Sequence, residues 1–449
     1  MPESEAGSLR GGVNRGIGLG FWMPSETLFG LGEREDTLVL KRTTNDTPYE
    51  MWAFDSPHHA DVINGLYGNM PYVQGINTST AQAVTWVNSA HTWAFLDDAE
   101  EEGASNINFV SETGALEVFL FSSAAATKDG DNRNKRISTD LSTVTGFAPL
   151  PPLHTLGFHF SKYDQASAQI IMDRNKNFTD YKFPVDVLVM DIQWADQYSE
   201  EDGYEYFKFN PQNFTSTDLA QMNQEVEDAG RYMTTILDPH IKVADDYFVY
   251  ADGQDLESSS TPESVNSIFV KTEGGSADFE GTCWPGNTVW IDFLNENAQA
   301  YWSGLYDYSK FVGSTKIYHA WNDMNEPSVF SEDSKTIPTT AKHIRANGEQ
   351  VEHREFHNAY GATQQRQSYR GLIDRDDGAL RPFVLTRSYF LGSQKFGAYW
   401  TGDNYTEDQE VFGAVRMIMQ NGLGGNVFGG ADIPGFIGEP SQEMWVRMY

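Results

Sequence analysis

Beyond Pro149, Pro151 and Pro152 the chain repeats one phrase, an apolar run followed by a helix-prone stretch, and this constrains its fold more than any other feature. Residues Val185-Asp186-Val187-Leu188-Val189-Met190 are almost continuously apolar, as strands buried on both faces of a parallel sheet are. Strand candidates lie at 156–160, 185–190, 232–237, 316–320, 383–385, 396–400 and 426–428, with helical stretches at 166–176, 219–229, 298–311 and 408–420. Alternation of this kind predicts an α/β fold, and about seven such units amount to a (β/α)8 TIM barrel that stops before its last strand.

The preceding region, from about 20 to 145, is written differently. Short apolar runs such as Ala83-Val84-Thr85-Trp86-Val87, Thr92-Trp93-Ala94-Phe95-Leu96 and Leu116-Glu117-Val118-Phe119-Leu120-Phe121 are separated by turn formers, the pattern of an antiparallel sandwich. Lys128-Asp129-Gly130-Asp131-Asn132 predicts a turn near its end. The expected organisation is a partial β-sandwich over 1–148 and a barrel over 149–449 whose C-terminal part is missing. Two long, strand-poor stretches, 239–288 and 328–355, are expected to be insertions on the functional face of the barrel, because long loops in compact domains usually serve function.

Charge and cysteine content exclude several classes. Sixty-four acidic against thirty-one basic residues give a net charge of −33, a field that repels nucleic acid and anionic membrane surfaces. Cys283 is the one cysteine, so neither an intrachain disulfide nor a thiolate-built metal site is available. No apolar run approaches the roughly twenty residues that cross a bilayer. The first residues lack the apolar core of a secretory signal. Sequons at Asn45, Asn77, Asn177, Asn213 and Asn404 are compatible with a secretory history.

Two strand candidates end alike. Trp321-Asn322-Asp323-Met324-Asn325-Glu326-Pro327 and Trp400-Thr401-Gly402-Asp403-Asn404 each set an indole before a carboxylate, and Arg387 lies sixteen residues ahead of the second. A lone Trp-x-Asp is an ordinary cap or surface group; two at strand ends are what glycosidic-bond cleavage needs, one carboxylate to attack and one to protonate the leaving oxygen. Asp191 and Asp238 also fall where a strand ends, the end of a barrel that carries chemistry.

These strings closely resemble glycoside hydrolase family 31, the retaining α-glucosidases and their relatives, and the resemblance runs from Leu28-Phe29-Gly30-Leu31-Gly32-Glu33 through Leu66-Tyr67-Gly68-Asn69-Met70-Pro71 to Gly429-Gly430-Ala431-Asp432. The strings Asp238-Pro239-His240-Ile241-Lys242, Cys283-Trp284-Pro285-Gly286, His353-Arg354-Glu355-Phe356-His357-Asn358 and Gly392-Ser393-Gln394-Lys395-Phe396-Gly397 resemble the family's glycan-trimming α-glucosidases of the endoplasmic reticulum. The resemblance implies that Asp323 is the nucleophile and Asp403 the general acid/base, with carboxyl groups about 5–5.5 Å apart. It implies that Arg387 and Asp191 hold sugar hydroxyls and that Ile192, Trp284, Trp321, Met324, Trp400 and Phe436 line the glucose pocket. Asp238 and Glu326 are supporting groups in this reading, Asp432 supports the pocket, and His240 is a hydrogen-bonded histidine rather than a metal ligand.

The resemblance further implies a retaining exo-α-glucosidase with no metal or organic cofactor, acting on α-1,3-linked glucose of N-linked glycans in the endoplasmic-reticulum lumen. Its partners would be an oligosaccharide or glycan substrate and a non-catalytic β subunit, with no nucleic acid and no membrane. Other family specificities (maltose-type α-glucosidase, α-xylosidase, α-glucan lyase) and a non-catalytic carbohydrate-binding chain are the alternatives. Two departures bear on these expectations. The family has an acidic residue where this chain has Gln193, and the family's Arg-x-His string is not found before the chain stops at Tyr449.

Overall fold

The structure, a computed structural model, describes residues 16–57, 65–124, 133–195 and 203–449. It divides into two compact units, the first comprising Met1–Pro149, Arg354–Ala362 and Arg387–Tyr449, the second Leu150–His353 and Thr363–Thr386.

The first unit contains two antiparallel four-stranded sheets. One orders Ile17–Met23, Ser105–Ser111, Thr92–Asp98 and Tyr49–Met51; the other orders Leu28–Gly30, Tyr72–Ile76, Thr80–Trp86 and Val118–Ala124. Alternation along Ser105–Ser111 buries every second residue, and the inward rows of both sheets meet in one core that includes Met51, Val73, Val84, Leu96 and Phe109. Trp86 ties the sheets together: its indole stacks on Phe109 at 5.5 Å and donates to Ser111 Oγ at 2.8 Å. A helix, Arg133–Thr145, lies in what reads as β-rich sequence. Ile137 and Leu141, one turn apart, are its buried pair and pack with Tyr72, Ala81, Ala83 and Phe121. The turn expected at 128–132 lies outside the described residues.

Residues Arg354–Ala362 belong to this first unit, tied to it by Ser89 Oγ on Glu355 O at 2.6 Å, by His357 Nε2 at 2.8 Å from Ala53 O, and by the Asn358 amide. Asn358 Oδ1 accepts from Ala53 N at 2.8 Å and from Asn69 Nδ2 at 3.2 Å, while its Nδ2 donates to the carbonyls of Met51 and Ala90. The unit also holds the Ala398–Trp400 strand, paired parallel with Gly429–Gly430, and the helix Asp408–Leu423. The last strand therefore sits just beyond 426–428, because Asn426 N still bonds back to Asn421 O at the helix end.

In the second unit five parallel strands run in the order His159–Ser161, Val187–Met190, Tyr232–Ile236, Tyr318–Asn322 and Val384–Thr386. Val187–Met190 is buried at every position, as its apolar run requires. Helices Ala168–Asp180 and Ser216–Asp228 separate strands and start at side-chain caps, Ser167 and Thr215. Two boundaries move from expectation. The strand foreseen at 156–160 is preceded by a 3-10 turn, Leu153–Leu156, clasped by Thr155 Oγ1 on Pro152 O at 2.7 Å. The helix foreseen at 298–311 is Glu296–Gly304, stopping at a glycine and giving way to a turn held by Asp307. The stretch 239–288 folds as a three-stranded antiparallel sheet with the helix Phe248–Ser258, and 328–355 contains a hairpin, Lys342–Ile344 with Gln350–Glu352.

At the amino-terminal ends of these parallel strands lies a cavity of about 520 Å³, lined by His154, Asp186, Tyr232, His319 and Arg375 among others. His154 stacks on Tyr232 at 3.5 Å and its Nε2 lies 2.9 Å from His319 Nε2. Burial pushes the His154 imidazole down to about 4, and burial with the neighbouring imidazoles and Arg375 holds His319 well below its ordinary value. Unfolded histidine titrates near 6.5, so the unfolded chain binds more protons below that pH and stability falls as pH drops from about 6.5 toward 4. The thermal midpoint is therefore expected to decline through that window. His154→Gln and His319→Gln should flatten the decline; equal slopes in variants and parent would sink the assignment.

Candidate active site

The strand register of the second unit brings its carboxylates to one end. Met190 faces Thr235, Thr235 faces Ala320 and Ala320 faces Val384. Asp191, Asp238 and Asp323 therefore emerge together at the carboxyl ends, and Ile236 opposite Trp321 places Asp238 and Asp323 in the same row. Asp191 Oδ1 accepts from Ile192 N at 2.7 Å, turning the chain into the 3-10 segment Ile192–Ala195. Ile192 is buried, and Trp194 anchors the turn by donating to Ile236 O at 3.2 Å.

Asp323 is fixed by its neighbours. Asn322 Nδ2 donates to Leu237 O at 3.1 Å, and Asn325 Nδ2 donates to Thr386 Oγ1 at 2.9 Å. Between them Met324 has φ of +54°, a left-handed conformation that costs roughly 1–3 kcal/mol outside glycine. The Met324 side chain is locked in an apolar cluster with Val270, Phe279, Cys283, Trp290 and Val329. The cluster thus holds the strained turn on which Asp323 rides. Trp321 is half-buried. Trp284 is 44% exposed, with Phe330 edge-on at 4.9 Å, leaving an indole face available to a sugar.

Asp238 is fully buried and takes a hydrogen bond from the Tyr206 hydroxyl, which also lies 3.3 Å from His240 Nε2. His240 is thus a hydrogen-bonded histidine, as expected. Among the described residues no group of three or more His, Cys, Asp or Glu side chains is arranged to hold a metal ion.

The first unit carries the other candidates. After Ala398–Trp400 the chain turns at Gly402, φ +78°, and a Cβ there would stand 2.1 Å from the Tyr67 ring. Asp403 N donates to Tyr67 Oη at 3.3 Å, and the Arg387 guanidinium lies over the same ring at 4.8 Å, with Asp55 at 3.4 Å. One buried tyrosine therefore fixes both Asp403 and Arg387. Asn404 closes the next loop: its Nδ2 donates to Asp432 O at 3.1 Å, and its Oδ1 accepts from Phe436 N at 3.1 Å. Phe436, 55% exposed, presents its ring beside this loop, whereas Trp400 is buried. Asn404 itself is inaccessible with both amide ends engaged, so its sequon is unavailable in the folded state.

Tyr67, Tyr206 and Asp55 were not singled out from sequence. Tyr67 sits in a noted string, but its partners lie more than three hundred positions away. Tyr206 follows no strand or helix periodicity that would mark it.

Residues 148–449 match the family model described as "Glycosyl hydrolases family 31 TIM-barrel domain", and residues 21–94 match "Glycosyl hydrolase 31 N-terminal galactose mutarotase-like domain". The fold is thus a TIM barrel preceded by β-sandwich structure, and the chain belongs to glycosyl hydrolase family 31. It is similar to human "Neutral alpha-glucosidase AB", 33% identical over an alignment of 453 positions that covers 96% of this chain and 45% of that protein. An Arabidopsis thaliana protein named "Probable glucan 1,3-alpha-glucosidase" is 32% identical over an alignment of 437 positions that covers 95% of this chain and 45% of that one. A crystal structure of the endoplasmic-reticulum glucosidase II heterodimer, catalytic subunit with the binding domain of the regulatory subunit, superposes with a TM-score of 0.87 at 32% identity, over 97% of this chain and 46% of the other. The chain spans less than half the length of these relatives.

Proposed function

We propose that this chain carries the catalytic machinery of a retaining exo-α-glucosidase, organised as a sandwich over 1–148 and a barrel over 149–449. The observation that carries the reading is that Asp323 and Asp403 each follow a parallel strand on a turn anchored by neighbouring side chains, in a chain that belongs to family 31. Asp323 attacks the anomeric carbon while Asp403 gives its proton to the leaving oxygen. Water, deprotonated by Asp403, then opens the glycosyl ester, so two inversions retain the configuration. Asp191 and Arg387 hold glucose hydroxyls, and Ile192, Trp284, Trp321, Met324, Trp400 and Phe436 shape the pocket, with Trp284 and Phe436 offering exposed rings.

The finer reading is α-1,3-linked glucose on N-linked glycans in the endoplasmic-reticulum lumen, beside a non-catalytic regulatory subunit. It is supported by the names and assemblies of the relatives. No helix among the described residues is long and apolar enough to cross a membrane.

The test is NMR observation of the first anomer released from a nitrophenyl α-glucoside. α-Glucose appearing first supports retention, and faster cleavage of α-1,3- than α-1,4-linked glucose disaccharides supports the linkage. β-Glucose first would overturn the mechanism. An unsaturated anhydro-sugar product would mean a lyase, and preference for xylosides an α-xylosidase.

A further inference from the structure

Tyr206 lies on no regular element and is fully buried. Its backbone carbonyl accepts from Tyr247 Oη at 2.8 Å, its ring meets His240 edge-on at 5.6 Å, and its hydroxyl is directed to Asp238. Asp238 and Asp323 each lie two residues beyond Ile236 and Trp321, the last paired residues of two adjacent parallel strands, and the charges of both act on the Tyr206 phenol. The carboxylate next in chain, Glu205, is committed to Lys208 at 2.5 Å and Lys242 at 3.5 Å, so it does not compete for the phenol.

The geometry points to Tyr206 as a positioning residue for the nucleophile: by donating its O–H to Asp238 it fixes and screens a second carboxylate beside Asp323. This deepens the glucosidase reading and rests on it. A buried carboxylate beside the nucleophile has two opposed effects. It adds negative potential where the sugar develops positive charge, and it makes ionisation of Asp323 harder. A neutral donor on Asp238 lessens the second effect without abolishing the first. Burial, then the charge of Asp238 and its hydrogen bond, then Cys283 and Asp323, push the Tyr206 phenol well above its ordinary value, so it remains a donor throughout the working range. Among the described residues, the titratable groups facing Tyr206 include Asp238 and His240 after the Tyr232–Ile236 strand, Asp323 after Tyr318–Asn322, and Cys283 at the end of Glu280–Cys283.

The experiment compares pH profiles of kcat/KM for the parent protein, Tyr206→Phe, Asp238→Asn and the double variant, with thermal midpoints alongside. Tyr206→Phe takes this donor away from Asp238 while His240 stays 3.4 Å from it. Its acidic limb should move upward by roughly one unit, with kcat down about tenfold and KM changed less. Asp238→Asn should move the limb downward, and adding Tyr206→Phe should then shift it no further. An unchanged or lowered limb in Tyr206→Phe overturns the proposal. Should Tyr206→Phe fail to fold, an Asp238→Asn limb that does not move downward overturns it alone. Trapping of a glycosyl adduct on Asp323 by a slow fluorinated glucoside separates this failure from failure of the glucosidase reading, in which no adduct forms.

Discussion

Asp323→Ala is expected to lower turnover of an α-glucoside by ~10⁴-fold or more, because removing a covalent nucleophile removes the intermediate and not merely a contact. The shortened side chain leaves room on the face that the carboxylate attacks. A small anion supplied in solution can enter there, and azide should restore part of the rate while yielding β-glucosyl azide, the product of one inversion instead of two. The Met324 turn is held by its own apolar cluster, so the substitution should leave the thermal midpoint close to that of the parent. Residual activity within tenfold of the parent, or rescue yielding the α-azide, would remove Asp323 from the nucleophile's role. Asp403→Ala supplies the contrast. A nitrophenolate leaves without much help from an acid, so that variant should lose far more on a disaccharide than on a nitrophenyl glucoside.

Gly402→Ala is expected to cost about 2–4 kcal/mol, the sum of a left-handed conformation for a residue with a Cβ and overpacking against a ring. The new Cβ would stand 2.1 Å from Tyr67, which is fully buried beside Leu66 and Met417 and has nowhere to go. Displacing Tyr67 loosens the ring under Arg387 and the hydroxyl on Asp403 N in one stroke. Activity should therefore fall along with a thermal midpoint lowered on the order of 10 °C. Gly230→Ala is the matched control: its φ is +73°, but nothing lies within 4 Å of the added Cβ, so only the conformational term, roughly 1 kcal/mol, should appear. Equal losses at the two positions would mean that the ring contact is not what makes Gly402 necessary.

What the sequence made legible follows from how local each signal is. The Val187–Met190 strand and the sandwich strands are written in neighbouring residues, as are the Trp-Asn-Asp and Trp-Thr-Gly-Asp endings, and both strings fall at the ends of parallel strands. Element boundaries moved where a glycine or a side-chain clasp decided them, at Gly304 and at Thr155 on Pro152. The Arg133–Thr145 helix was missed because its buried face amounts to Ile137 and Leu141 in an otherwise polar run. Tyr67 and Tyr206 escaped for a different reason. A tyrosine's task is set by what its hydroxyl and ring meet, and for these two the partners arrive from distant segments.

The threading of Arg354–Ala362 into the first unit has a consequence for the order in which this protein is made. The carbonyls of Met51 and Ala90 and the amide of Ala53 leave the ribosome early, yet the Asn358 amide that satisfies them is synthesised some three hundred residues later. Until then the sandwich has its sheets but not its clasp. Vectorial folding of this layer is therefore provisional until the segment around Asn358 has been made.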